Sequence, residues 1–194
     1  MRTAFFIVGY VAAAVAFGSL HAQTTAPGPA ANMSASDRAF VSTASAAGLA
    51  EVASGHLAMT QGQAATVKSF GQTMVADHSK ANTALQKLAD AKGMAVASSP
   101  SADEQASIDA LKSMHGAAFD QGYAKLALND HTQAVALFEQ EASSGQDADL
   151  RAFAASTLPT LKHHLDMVKS LPSHAVAKSL SSLAPEERLA VGGP

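Results

Sequence analysis

The chain has 194 residues, no cysteine and a formal net charge of −3. One domain with short tails fits that length, and the missing thiols exclude disulfides, thiolate metal sites, thiol catalysis and a lipoprotein anchor. Aromatic residues make up 5%, tryptophan is absent and 13 basic residues stand against 16 acidic ones, so no nucleic-acid partner is expected.

Arg2 precedes an apolar run over residues 4–17, and Ser19 and Ala22 are small. This is the three-part plan of a secretory leader, with cleavage expected after Ala22. The run is shorter than the roughly 20 residues that span a bilayer. No other segment is long and apolar enough, so the mature chain is expected to carry no transmembrane anchor and to be periplasmic or secreted. Residues 1–22 are read as the signal peptide and 23–35 as a flexible linker rich in Ala, Pro and Thr. Residues 36–171 are read as the folded bundle and 172–194 as a largely unstructured tail.

Ser36 is the expected cap of a first helix over 36–61, ended near Gly62. A second helix is expected over 64–92, stopping at Gly93. Ser98, Ser99 and Pro100 mark a loop. A short helix over 103–115 follows, ended by Gly116, then long helices over 117–142 and 147–171, with Pro172 closing the last. No stretch alternates with period two over a strand length, so no strands are expected. Two tightly joined pairs separated by a long connection predict an all-α, ferritin-like four-helix bundle with a short extra helix in the crossover. A plain up-and-down bundle is the competing topology.

Steps of four and three trace the inward seam of each long helix. The seams are built mostly from Ala, Leu, Val, Phe and Met, and one ionisable residue interrupts each: Glu51, His78, His131 and His164. Burying these groups unpaired would cost several kcal/mol, about what one divalent ion could offset. Imidazole and carboxylate suit a single Zn, Fe, Cu or Ni ion. The other reading is that each side chain finds a hydrogen bond and no metal binds. On depth along the helices His164 fits worst, about five residues or roughly 7 Å off the level of His131. Asp77 and Asp130, beside two of the histidines, are candidates for orienting a neighbouring imidazole. They belong to a weak repeat, D-H-S/T-x-A, at residues 77–81 and 130–134. Asp120 and Tyr123 share a helix face and are expected to hydrogen-bond each other. His56, His115, His163 and His174 fall off the seams and are expected at the surface.

Five segments carry a family resemblance: G-L-A-E-V at 48–52, M-V-A-D-H at 74–78, F-D-x-x-Y at 119–123, D-H-T-Q-A-V-A-L-F-E at 130–139 and T-L-P-T-L-K-H-H-L at 157–165. In order and spacing they resemble the bacterial ferritin-like domain-of-unknown-function family 4142, whose members are often labelled putative outer-membrane proteins. The resemblance covers about residues 36–171. It implies an exported four-helix bundle with recurrent Glu and His at Glu51, His78, His131 and His164. It implies no settled activity. A di-iron centre needs carboxylates from all four helices, two of them in E-x-x-H motifs. This chain has no E-x-x-H and one seam carboxylate, which argues against di-iron.

The function these readings favour is a periplasmic bundle that holds a transition metal at a buried His/Glu site, for buffering, sensing or stress protection. The alternatives are a metal-free structural or interaction bundle of the cell envelope and, behind it, a metal-dependent enzyme. A protein partner is not readable, and a homodimer stays open.

Overall fold

The structure is a computed structural model that describes residues 33–171. The expected leader, residues 23–32 of the linker, the tail 172–194 and His174 lie outside the described residues. Within them the chain forms α1 (Ala35–Gln61), α2 (Ala65–Ala91), α3 (Ala102–Lys112), α4 (Gly116–Ser144) and α5 (Ala148–Lys169), with no strand.

Local chemistry explains the helix ends. Ser34, not Ser36, caps α1: its Oγ accepts from the Asp37 backbone N–H at 2.9 Å. Gly93, at φ 67°, sits just past α2, and the Met94 N–H returns to the Ala89 carbonyl at 2.9 Å. A left-handed residue there closes the last turn, and glycine takes that conformation at little cost. α3 opens with a reciprocal capping box between Ser101 and Glu104. Gly116 begins α4 rather than ending α3. α5 continues through Pro159. Pro159 and Ala155, the residue whose carbonyl loses its helical partner, are both exposed, so water can replace the missing bond.

Direction follows from contacts between the ends. Asp120, near the start of α4, accepts from the Gln63 and Ala64 backbone N–H groups, each at 2.8 Å. Asp37, near the start of α1, accepts from Gln146 at 2.9 Å and Asp147 at 3.1 Å. Lys92, after α2, reaches Asp147 and Asp149 at the start of α5. The α1–α2 turn therefore lies at the end where α4 begins, and the α4–α5 turn lies where α1 begins. Helices α2 and α4 run parallel, and the segment holding α3 travels the length of the bundle to connect them. Among the four long helices, the largest contacts are α1 with α2 and α4 with α5, then α1 with α4 and α2 with α5. Each of these neighbouring pairs is antiparallel. The up-and-down alternative is excluded.

The two clamped turns expose an internal repeat. Gly62-Gln63-Ala64-Ala65 and Gly145-Gln146-Asp147-Ala148 are 83 positions apart, as are Asp37 and Asp120, and Phe40 and Tyr123. Each Asp closes the turn of the other helix pair. The D-H-S/T-x-A similarity has a different spacing and does not relate equivalent positions of the two pairs.

Small residues set the α1–α2 approach. A Cβ on Gly71 would stand 2.7 Å from both the Gly55 carbonyl oxygen and the Ala58 Cβ. Alanine favours a helix over glycine by roughly 1 kcal/mol, but the two backbones would have to separate. Gly71→Ala is expected to lose about 1–2 kcal/mol net, read from urea denaturation. An increase in stability would show that the helices can part freely.

Two apolar clusters fill the bundle. One, at the α1–α2 turn end, contains Val67, Phe70, Met74, Phe119, Tyr123 and Val168. The other contains Phe40, Leu85, Phe138, Leu150, Ala154 and Leu161. The four ionisable seam residues lie along the helices between these clusters.

Candidate metal centre

Glu51, His78, His131 and His164 are all buried, one from each long helix. The depth mismatch closes for a geometric reason. From the α4–α5 turn, His131 is 13 residues before Ser144 and His164 is 16 after Ala148. Side chains tilt toward the N-terminus of their own helix. In this antiparallel pair His131 leans away from the turn and His164 leans toward it, so the rings meet. Glu51 and His78 show the same offset about the α1–α2 turn, 10 and 13 residues.

The three imidazoles form a nearly equilateral triangle. Ring centroids are 5.5 Å apart for His78–His131, 5.4 Å for His78–His164 and 5.3 Å for His131–His164. One nitrogen from each ring lies within 4.8 Å of the other two.

Hydrogen bonds fix which nitrogens face inward. His131 Nδ1 lies 2.9 Å from the Ala127 carbonyl oxygen, which can only accept, so Nδ1 carries the proton. His164 Nε2 lies 2.9 Å from Asp77 Oδ2 and donates to that carboxylate. The remaining nitrogens, His131 Nε2 and His164 Nδ1, face each other at 3.3 Å. In the neutral rings both are lone pairs. His78 Nε2 is buried with no hydrogen-bond partner.

A proton between the rings would relieve this repulsion, but burial opposes it. Desolvation, with the neighbouring imidazoles adding, lowers His78 to about 3. Desolvation lowers His131 to about 4 against the opposing Ala127 hydrogen bond. His164 is also lowered by burial, although Asp77 pulls the other way. The triad is therefore a set of neutral nitrogen donors at neutral pH.

The donor set fits a metal ion. At Zn–N distances of about 2.0–2.1 Å, two ligands of a tetrahedral ion stand about 3.3–3.4 Å apart. That is the separation between His131 Nε2 and His164 Nδ1. Three imidazoles would leave a fourth position for water or another ligand.

Glu51 occupies a different place from the one its seam position suggested. Its Oε1 is 3.3 Å from His131 Nδ1, the nitrogen facing away from His164. It stands behind the ring, outside the group of mutually close donors. Burial, with Asp130 and Glu104 adding, raises its carboxyl well above the ordinary value, and Oε2 has no hydrogen-bond partner.

The four flanking residues divide. Asp77, half exposed, orients His164. Asp130 holds no imidazole; its side chain accepts from Asn129 at 3.2 Å, and burial raises it to about 6. The expected Asp120–Tyr123 bond does not form. Both Asp120 oxygens are taken by the α1–α2 turn, whose adjacent backbone N–H groups offer a two-pronged match, and the Tyr123 hydroxyl is buried without a partner. Asp37 does the same work at the other turn; its signal in the sequence is the shared spacing to the Gly-Gln turns. His56, His115 and His163 are exposed, as expected.

The cavity at the centre is small, about 50 Å³, and its ionisable lining is Glu51, Asp77, His78, Asp130 and His164, with Asn82, two threonines and apolar side chains around them. A larger cavity of about 520 Å³ lies outside it between α1, α3 and α4, and none of the three histidines lines it.

Asp77→Asn is expected to weaken metal affinity about 10- to 100-fold, because a neutral amide holds the His164 N–H less firmly than a carboxylate. Titration of the variant with Co(II), followed by absorbance, measures this; unchanged affinity would make Asp77 a bystander.

These features define a class of protein: an all-α bundle with a buried cluster of three histidines. The chain belongs to the family Domain of unknown function (DUF4142), whose model matches residues 22–171. No curated protein and no solved structure matches it. Among the described residues, no helix is long and apolar enough to cross a membrane.

Proposed function

We propose that this chain is an exported, ferritin-like binding protein. It holds one transition-metal ion on His78, His131 and His164, for buffering, sensing or stress protection in the periplasm. The observation that carries this reading is the pair of imidazole lone pairs facing each other at 3.3 Å, with their outer N–H groups already engaged. A bound ion would supply the positive charge that three neutral rings lack. The all-imidazole set suits Zn, Cu, Ni or Fe. Glu51 then acts from behind His131 rather than as a ligand.

The internal repeat supports one ion rather than two. A shift of 83 residues takes Glu51 to Ala134 and His78 to Leu161, and brings Gly48 to His131 and Ala81 to His164. The equivalent half-site thus consists of Gly48, Ala81, Ala134 and Leu161, all of which line the small cavity. It has no donor side chain. The size of that cavity favours holding an ion over turning over an organic substrate, since substrate pockets run to about 300 Å³ and more.

Untagged protein, expressed with its leader and recovered from the periplasm, is expected to carry about one Zn, Cu, Ni or Fe per chain by elemental analysis. The chelated protein should rebind that ion and melt at higher temperature with it. Protein that takes up none of the four ions and is indifferent to chelator would overturn the reading and leave a structural bundle. Fractionation tests export separately.

A further inference from the structure

We infer that the cation reaches the triad through the groove between α1, α3 and α4, along a file of carboxylates running from Glu104 to Asp130 and then to Glu51. This rests on the proposed metal site and names how that site is filled.

Three observations carry it. The groove, about 520 Å³, is the larger of the two cavities beside the site, and Asp103, Glu104 and Asp130 line it with no Lys or Arg. The groove and the small central cavity share Ala44, Ala47, Asp130, Ala134 and Phe138 in their linings. Only methyl groups, one phenyl ring and the Asp130 carboxylate are common to both, so Asp130 is the polar group at the boundary. Beyond it lies Glu51, buried, with Oε2 free of any hydrogen bond and Oε1 against His131.

The physics is that of a focusing cleft. Like charges lining low-dielectric walls raise the local concentration of a counter-ion. The ion would exchange water for carboxylate oxygen before meeting nitrogen. The oxygens attract any divalent cation, and selection falls to the imidazoles. This gives the crossover helix a purpose, because the capping box that starts α3 also holds Glu104 over the groove.

Stopped-flow absorbance with Co(II), on the full chain, tests the route. Glu104→Gln removes the charge and keeps the cap, since glutamine also serves in a capping box. Asp130→Asn keeps shape and can still accept from Asn129. The association rate is expected to fall about three- to tenfold in each, with a weaker dependence on salt. In Glu104→Gln the dissociation rate should fall in step, leaving Kd within about twofold, because the ion leaves by the same path. The control is Asp166→Asn, one charge fewer at an exposed position of α5, which should load at the unaltered rate. Loading unchanged in both groove variants, or slowed equally in the control, would overturn the route while leaving the metal site intact. If the unaltered chain takes up no Co(II), Zn(II), Cu(II), Ni(II) or Fe(II), the site itself fails and the route with it.

Discussion

Replacing His131 with alanine is expected to lower metal affinity by more than about 100-fold, beyond what loss of an orienting partner alone costs. His131 is the most constrained member of the triad. Its ring is fully buried, Nδ1 is tied to Ala127, Glu51 stands behind it, and Nε2 faces His164. Removing it breaks the 3.3 Å pair and leaves two imidazoles, a set that exposed histidines elsewhere could rival. Melting curves give the cleanest contrast. Ion at about 100 times Kd stabilises a folded protein by about 2.7 kcal/mol, and the variant should gain almost none of that at the same concentration. In chelator the comparison isolates packing. A variant that still melts higher with metal would place the site elsewhere.

The second large effect is expected at a residue that touches no metal. Asp120→Ala should cost about 3 kcal/mol, because it removes a carboxylate accepting two backbone N–H groups and leaves both without their partner. For a domain of this size that lowers Tm by about 6–12 °C. Asp120 binds the turn of the opposite pair, Gln63 and Ala64, so it joins α4 to the α1–α2 hairpin. Asp120→Asn keeps one acceptor and should lose about half as much. Asp37→Ala should behave alike at the far turn. A drop below about 1 kcal/mol in both alanine variants would mean that the turns hold without their clamps.

Acid sensitivity follows from the triad with a definite sign. His78 and His131 titrate near 3 and 4 when folded, below the usual 6.5. Between pH 6.5 and those values the unfolded chain binds protons that the folded chain refuses, so these groups withdraw stability as the pH falls. Asp130 and Glu141, raised to about 6 and about 7, act oppositely: the folded chain binds the extra proton, and that contribution is lost as the pH rises through those values. The two windows overlap and partly cancel in the whole protein. A variant separates them. In chelator, His78→Leu should gain Tm relative to the unaltered chain as the pH is lowered from 7 toward 4. Metal binding should also persist near pH 5, where an exposed histidine site already competes with protons. A constant Tm difference across that range would mean that His78 is not held neutral.

Much of the bundle was readable from residue order, because helices, their ends and their buried seams are local or periodic properties. Gly93, the Gly62 and Gly145 turns and the four interrupted seams all fall where spacing placed them. Direction along the bundle was not readable. It depends on which backbone N–H groups at one turn are satisfied by a carboxylate some 57 residues away, and no periodicity records that. The worst apparent misfit, His164, came from counting residues along the axes without the tilt of Cβ on opposed helices. Glu51 shows the remaining gap. A seam position determines that a side chain points inward, but tertiary packing decides which side of a neighbouring ring it meets. The composition and pattern by themselves therefore determined an Ala-rich helical protein with three histidines and a glutamate in its interior. Only the three-dimensional arrangement decided that the histidines face one another while the carboxylate stands behind, since that depends on reach and angle between helices rather than on order within them.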